Sequence, residues 1–148
     1  MKKSKKIIIT VLIIISILVI IGIITVIAVL SSVLKDDGVY KLGSDTITSI
    51  NGVLDDKKVT GGSSSIENGV KTIVKTYQSD GNVKEELLKY ANYLIENEKF
   101  LAIKDQAGNL EMAKESVDSG DIVYIIIEYN SSSYTVTVKK GEGTLTKY

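Results

Sequence analysis

The chain has 148 residues, is 44% apolar and carries 18 Lys against 18 Asp and Glu for a formal charge of zero. It contains no Cys, His, Arg, Trp or Pro. Without Cys and His it lacks disulfides, the usual zinc ligands and the Ser-His-Asp and Cys-His nucleophile systems, and without Arg it lacks bidentate phosphate forks.

The balance of charge is uneven along the chain. Lys2, Lys3, Lys5 and Lys6 precede a 24-residue run, Ile7 to Leu30, with no charged side chain. At about 1.5 Å per residue such a helix reaches roughly 36 Å, enough to cross a hydrocarbon core of about 30 Å with some tilt. Ile and Val are weak helix formers in water, but in lipid only a helix satisfies its own backbone groups. The sequence therefore predicts a cytoplasmic basic segment over residues 1–6 and a single transmembrane helix over 7–30. A short stalk over 31–37 and an extracytoplasmic domain over 38–148 follow. The lysine cluster places Met1 in the cytoplasm, the C-terminus outside and anionic lipid of the bilayer against the lysines. The run is longer than the apolar part of a cleavable signal peptide, and Val29-Leu30-Ser31 is a poor cleavage site, so an uncleaved signal-anchor is expected. There is no Cys to acylate and no Pro for a wall-sorting motif. Gly22, Thr25 and Ala28 are spaced by three, which is not the GxxxG spacing of a helix-pairing face.

Beyond the anchor, 14 Lys face 18 acids, a net charge of −4. That argues against nucleic acid as a partner. Lys without Arg and abundant Ile and Asn are the usage of an AT-rich bacterial genome, and a Cys-free exported domain fits a bacterial surface.

Val39 to Leu42 and Thr46 to Ile50 read as short extended pieces around Gly43-Ser44-Asp45. Asn51-Gly52 reads as a turn, and Val53 to Thr60 as another strand. Gly61-Gly62-Ser63-Ser64-Ser65 is flexible by composition and reads as a hairpin loop or an unpaired insertion. Asn68-Gly69 marks a turn before the β-branched strand Val70 to Tyr77.

The period then changes. Val83, Leu87, Ala91, Leu94 and Ile95 lie on one face of an α-helix capped by Asn82, with Glu85 three residues on, and ending near Asn97. Phe100 to Ile103 returns to extended structure, Ala107-Gly108-Asn109 turns, and Leu110 to Glu115 alternates. After the turn Asp118 to Asp121, Ile122 to Tyr129 is the most apolar piece outside the anchor and belongs at the centre of the sheet. Tyr134 to Lys139 alternates as a half-buried antiparallel strand, and Thr144 to Tyr148 reads as a short edge strand. The expected fold class is α+β: an antiparallel sheet of five or six strands with one packed amphipathic helix.

No residue set points to catalysis, a cofactor or a metal. Asp80-Gly81-Asn82 lacks calcium-loop spacing and is explained by the helix cap. Asp55-Asp56 and Asp118/Asp121 are ordinary turn residues, and the sequon Asn130-Ser131-Ser132 has the same bland reading. The eight tyrosines supply core aromatics or a binding face. The sequence thus implies a non-enzymatic binding or adaptor module whose partner is a membrane or cell-surface protein or a wall component. The alternative is a small regulator acting through its transmembrane helix on a larger membrane complex. Neither the partner nor the oligomeric state is written in the sequence.

Overall fold

The computed structural model describes residues 33–106 and 108–145. The basic segment and the predicted transmembrane helix lie outside these residues, as do Ala107 and the end of the expected C-terminal strand. Among the described residues no helix is long and apolar enough to cross a membrane.

The elements follow as β1 (Val39–Leu42), β2 (Asp45–Thr48), α1 (Ile50–Val53), β3 (Val59–Glu67), β4 (Val70–Gln78), α2 (Val83–Glu98), β5 (Leu101–Gln106), β6 (Asn109–Glu115), β7 (Asp121–Tyr129) and β8 (Ser133–Glu142). The fold is α+β. Six antiparallel strands form one sheet in the order β3-β4-β8-β7-β6-β5, and β1 and β2 form a separate hairpin. As expected from its apolar run, β7 is central.

Register puts Tyr77 beside Tyr134, Ile73 beside Val138, and Val136 and Val138 beside Ile127 and Ile125. These side chains line one face of the sheet, and most are fully buried. The β1–β2 hairpin contributes Tyr40, Leu42 and Ile47 to the same core, and α2 contributes Val83, Leu87, Tyr90 and Leu94. Helix α2 must carry the chain from the second strand position to the sixth, about 19 Å at roughly 4.8 Å per strand, and its sixteen residues reach about 24 Å. It can therefore cross the sheet obliquely and cover one face. The Asn82 side chain accepts from the N–H groups of Lys84 and Glu85, as the sequence predicts for a cap. The helix ends without glycine. Lys99 takes a left-handed conformation (φ 64°), and the Phe100 N–H donates to the Leu94 carbonyl at 3.1 Å.

Four readings are corrected. Gly61 to Ser65 is neither loop nor insertion but the middle of β3, paired residue for residue with Thr76 to Thr72. The partner strand's ladder imposes extended structure there despite poor intrinsic propensity. Gly62 is required by close approach: a Cβ would lie 2.9 Å from the Val74 carbonyl oxygen and 3.1 Å from that of Val33. Asn51-Gly52 sits inside the one-turn helix α1 rather than a turn, so Val53 is helical and the strand begins only at Val59. A Cβ on Gly52 would meet the Gly38 oxygen at 2.5 Å, so this glycine too serves contact. Among the described residues there are thus two helices, and the first two strands stand apart from the main sheet. Finally, Ile95 lies on the exposed side of α2, and Tyr90 takes the buried place between Leu87 and Leu94. Asn68-Gly69 is the expected two-residue turn, with φ of 51° and 79°.

Leu87 is buried and its neighbour Leu88 is exposed. Leu87→Ala should destabilise by about 2–5 kcal/mol, whereas Leu88→Ala should stay within about 0.5 kcal/mol. Denaturant unfolding of the full chain in detergent checks the pair, and equal effects would refute this placement of the helix.

Candidate functional site

Helix α2 turns two rows of side chains in different directions. The row Leu87, Tyr90, Ala91 and Leu94 faces the core, while Leu88 and Ile95, seven residues apart and hence on one row, remain 62% and 41% exposed. Opposite them the sheet presents Ala102 from β5, Leu110 from β6 and Tyr129 from β7. Together they line an open groove of about 480 Å³, with Lys84 in the first helical turn as its cation. Leu88 and Ile95 thus leave apolar surface exposed along the rim of the groove. The sequence carries a signal for this site, since Leu88 and Ile95 repeat at seven residues beside the core stripe. The apolar stripe read from the sequence includes Ile95 and leaves Leu88 out.

The acidic candidates do not converge. Asp118 pairs with Lys140, Asp80 pairs with Lys57 at 3.1 Å, and Asp55 and Asp56 lie exposed between α1 and β3. Among the described residues no three Asp or Glu side chains are grouped to hold a metal ion. Asn130 uses its side-chain oxygen to accept from the N–H groups of Ser132 and Ser133 within the β7–β8 turn. Of the tyrosines, Tyr40, Tyr77, Tyr90 and Tyr134 are core residues, and the Tyr77 and Tyr134 rings stack at 5.7 Å. Tyr124, on the opposite face of the sheet, donates to Glu111, and partial burial followed by that carboxylate pushes its hydroxyl up to about 12. Tyr148 lies outside the described residues.

Two polar clusters have no signal in the sequence. Asp36, in the segment read as a stalk, accepts from Ser49 Oγ at 2.5 Å, Tyr77 Oη at 2.7 Å, the Gly38 N–H at 3.0 Å and the Asn51 N–H at 3.3 Å. Tyr77 gives its only proton to Asp36, so Tyr40, 2.7 Å away, donates to Tyr77. Burial, followed by the neighbouring Tyr77, holds the Tyr40 hydroxyl well above the usual phenol range.

The second cluster centres on Lys140, which is 7% exposed. Its ammonium meets Asp45 at 2.7 Å, Ser44 Oγ at 3.1 Å and Asp118. Asp45 also accepts from Ser116 Oγ at 2.5 Å and the Val117 N–H at 3.1 Å. Burial pushes the Asp45 carboxyl up, but the bonds from Lys140, Ser116 and Val117 outweigh it and hold the group below its ordinary value. Lys140 likewise loses by burial and gains more from Asp118 and Asp45, so its value is raised. These clusters fix the β1–β2 hairpin and the entering chain to the sheet. The groove beside α2 that Leu88, Ile95, Ala102 and Leu110 line is open to solvent and takes no part in these clusters.

Lys140→Met leaves Asp45 as an uncompensated buried charge and should destabilise by about 3–5 kcal/mol, read by denaturant unfolding. Because Asp45 is depressed in the fold, its contribution is complete above the unfolded value of about 3.9 and is lost as pH falls through the lower folded value. Wild type should therefore weaken in acid below about pH 4, and Asp45→Asn should show a smaller acid loss. Asp36→Ala strands the Ser49 and Tyr77 donors, at about 1–3 kcal/mol each. It should speed tryptic cleavage after Lys35, and an unchanged cleavage rate would show that Asp36 does not hold this segment. The chain matches no protein-family model, no curated protein and no solved structure.

Proposed function

We propose that this chain is a membrane-anchored, non-enzymatic binding module of a bacterial surface, and that the α2 groove receives a short apolar segment of a partner protein. The observation that carries the reading is the pair Leu88 and Ile95, two large apolar side chains held exposed beside Ala102 and Leu110. Lys84 in the groove favours a partner segment with an acidic residue next to its apolar ones. Support for the anchor comes from the uncharged run Ile7 to Leu30 behind four lysines. Support for binding without catalysis comes from a sequence that offers no His or Cys.

Burying Leu88 and Ile95 against a partner is worth about 1.5–3 kcal/mol each, so a charge at either position should weaken binding at least tenfold. The test places a photo-crosslinking residue at Asn92, an exposed lining position, in the full chain in intact cells. A discrete protein adduct that Ile95→Lys abolishes is the expected result. An adduct indifferent to Ile95→Lys, or none at all, overturns the groove as the binding site, and hydrolysis of a wall polymer by the purified chain overturns the non-enzymatic reading.

A further inference from the structure

The sheet has two edges, and they are not alike. Strand β5 is interrupted near its middle by a bulge between Ala102 and Lys104. Strand β3 carries its bulge at the start, between Val59 and Gly61, and from Gly61 to Glu67 it is regular. Among the described residues no strand pairs with its outer side; Ser63 to Glu67 are exposed, with Ile66 at 70%, while Gly61 and Gly62 are half-buried. Natural edge strands are protected by charge, proline or bulges, because their unpaired N–H and C=O groups template another strand. From Val59 to Ile66 this edge has no charge and no proline.

We propose that β3 pairs antiparallel with β3 of a second copy, joining two six-stranded sheets into one of twelve across a two-fold axis at Ser63. The edge is self-complementary about that residue. Gly62 then faces Ser64 and Gly61 faces Ser65, pairs small enough to meet without conflict. The extra residue at the bulge brings Val59 opposite Ile66 on the helix-bearing side, since both share that face with Tyr77 and Lys71. It also brings Lys58 opposite Glu67, so that each end of the paired segment carries an ion pair and an apolar contact. These end contacts define the register that a Gly-Ser strand alone leaves loose.

The entry of the chain agrees with this geometry. Val33 lies over Gly62, and the Lys75 ammonium donates to the Lys35 carbonyl, so residues 33–36 approach on the helix-bearing face. A two-fold axis normal to the sheet maps that face onto itself. Residues 33–36 of both copies therefore lie on the same side of the joined sheet, as the proposed membrane anchor would require. A second copy with the same anchor is also confined to the same bilayer, which raises its effective concentration above that of a free strand.

The chain has no cysteine, so a single introduced thiol reports one contact. Directly opposed residues of an antiparallel pair have Cα atoms about 4.5–5.5 Å apart, within disulfide reach. Ser63→Cys in the full chain, in native membranes under mild oxidant, should give a covalent dimer. Asn68→Cys, at the tip of the β3–β4 hairpin and far from its symmetry mate, should not. In detergent the wild type should have twice the monomer mass, and Ser63→Lys, which sets two ammonium groups on the axis, should halve it while leaving the far-ultraviolet circular dichroism unchanged. A monomeric wild type, equal crosslinking at positions 63 and 68, or a dimer that persists in the folded Ser63→Lys variant overturns the proposal. Ile95→Lys should leave the dimer intact, which separates this inference from the groove.

Discussion

The pairing of β8 with β4 is the constraint on which the rest of this fold depends. It joins Tyr77 to Tyr134 and Lys71 to Lys140, residues far apart in the chain, and it inserts the last strand between the β3–β4 hairpin and the β5–β7 meander. Without it the β3–β4 hairpin would have no sheet to belong to, and two-stranded ribbons are marginal alone. Closing so long a loop costs entropy before any contact is made. The contacts that offset it are concentrated along the seam: the stacked tyrosines, Ile73 against Val138, and the Thr76 and Thr135 hydroxyls 3.0 Å apart on the opposite face. The seam also dictates the length of α2, because a chain that leaves β4 and begins again at the far edge must cross the intervening strands. Formation of this non-local ladder is the step that a folding-rate study would find slow.

The polar clusters follow from the same seam. Once β8 is placed, Lys140 projects onto the helix-bearing face, in the same row as Lys114 and Val123. Two lysines on a covered face need acids above them. Asp45 at the start of β2 and Glu98 at the end of α2 supply these, Glu98 reaching Lys114 at 3.2 Å. Ion pairs taken out of water add little net stability, since desolvation offsets most of the attraction, but an unpaired member is strongly unfavourable. Their effect here is positional: a hairpin of four-residue strands has little surface with which to choose its orientation, and Asp45 leaves it only one. Asp36 acts similarly at the point where the chain enters, so that the core tyrosines Tyr40 and Tyr77 are tied to the segment leading from the N-terminus.

What could be read from the sequence were the elements whose side chains announce them. VKTIVKTY, IVYIIIEY and the alternation from Tyr134 to Lys139 carry β-branched or period-two signals, and Asn82 with its apolar stripe announces α2. Strand β3 is not legible, because nothing in Gly-Gly-Ser-Ser-Ser favours extension; its conformation comes from the β4 ladder, which a local pattern does not contain. Helix α1 is hidden because Asn-Gly is a turn signal when φ is positive, whereas Gly52 is there to admit Gly38. The groove was missed for a different reason. An amphipathic stripe says which residues point inward, but whether Ile95 is covered depends on how far the sheet extends beneath the helix, and that is settled by β5 and β6. The carboxylates of Asp36 and Asp45 give no signal at all, because an acid that will accept from hydroxyls and N–H groups, or pair with a buried ammonium, looks like any surface charge until its partners are placed.

The two surfaces lie on opposite sides of the sheet's centre, and this bears on how they would work together. From β3 to β5 there are five strand spacings, about 24 Å at roughly 4.8 Å each. Pairing at β3 therefore covers none of Leu88, Ile95 or Leu110. In a dimer related by an axis normal to the sheet, the two grooves would stand near the far ends of a twelve-stranded sheet, both on the helix-bearing face. A partner with two apolar segments, or two partner chains held side by side, would then engage both at once, the second contact made at the effective concentration set by the first. Weak burial of two or three side chains per groove is enough for such an arrangement. On the proposed reading, it is this second contact that would let a small, largely uncharged groove act selectively.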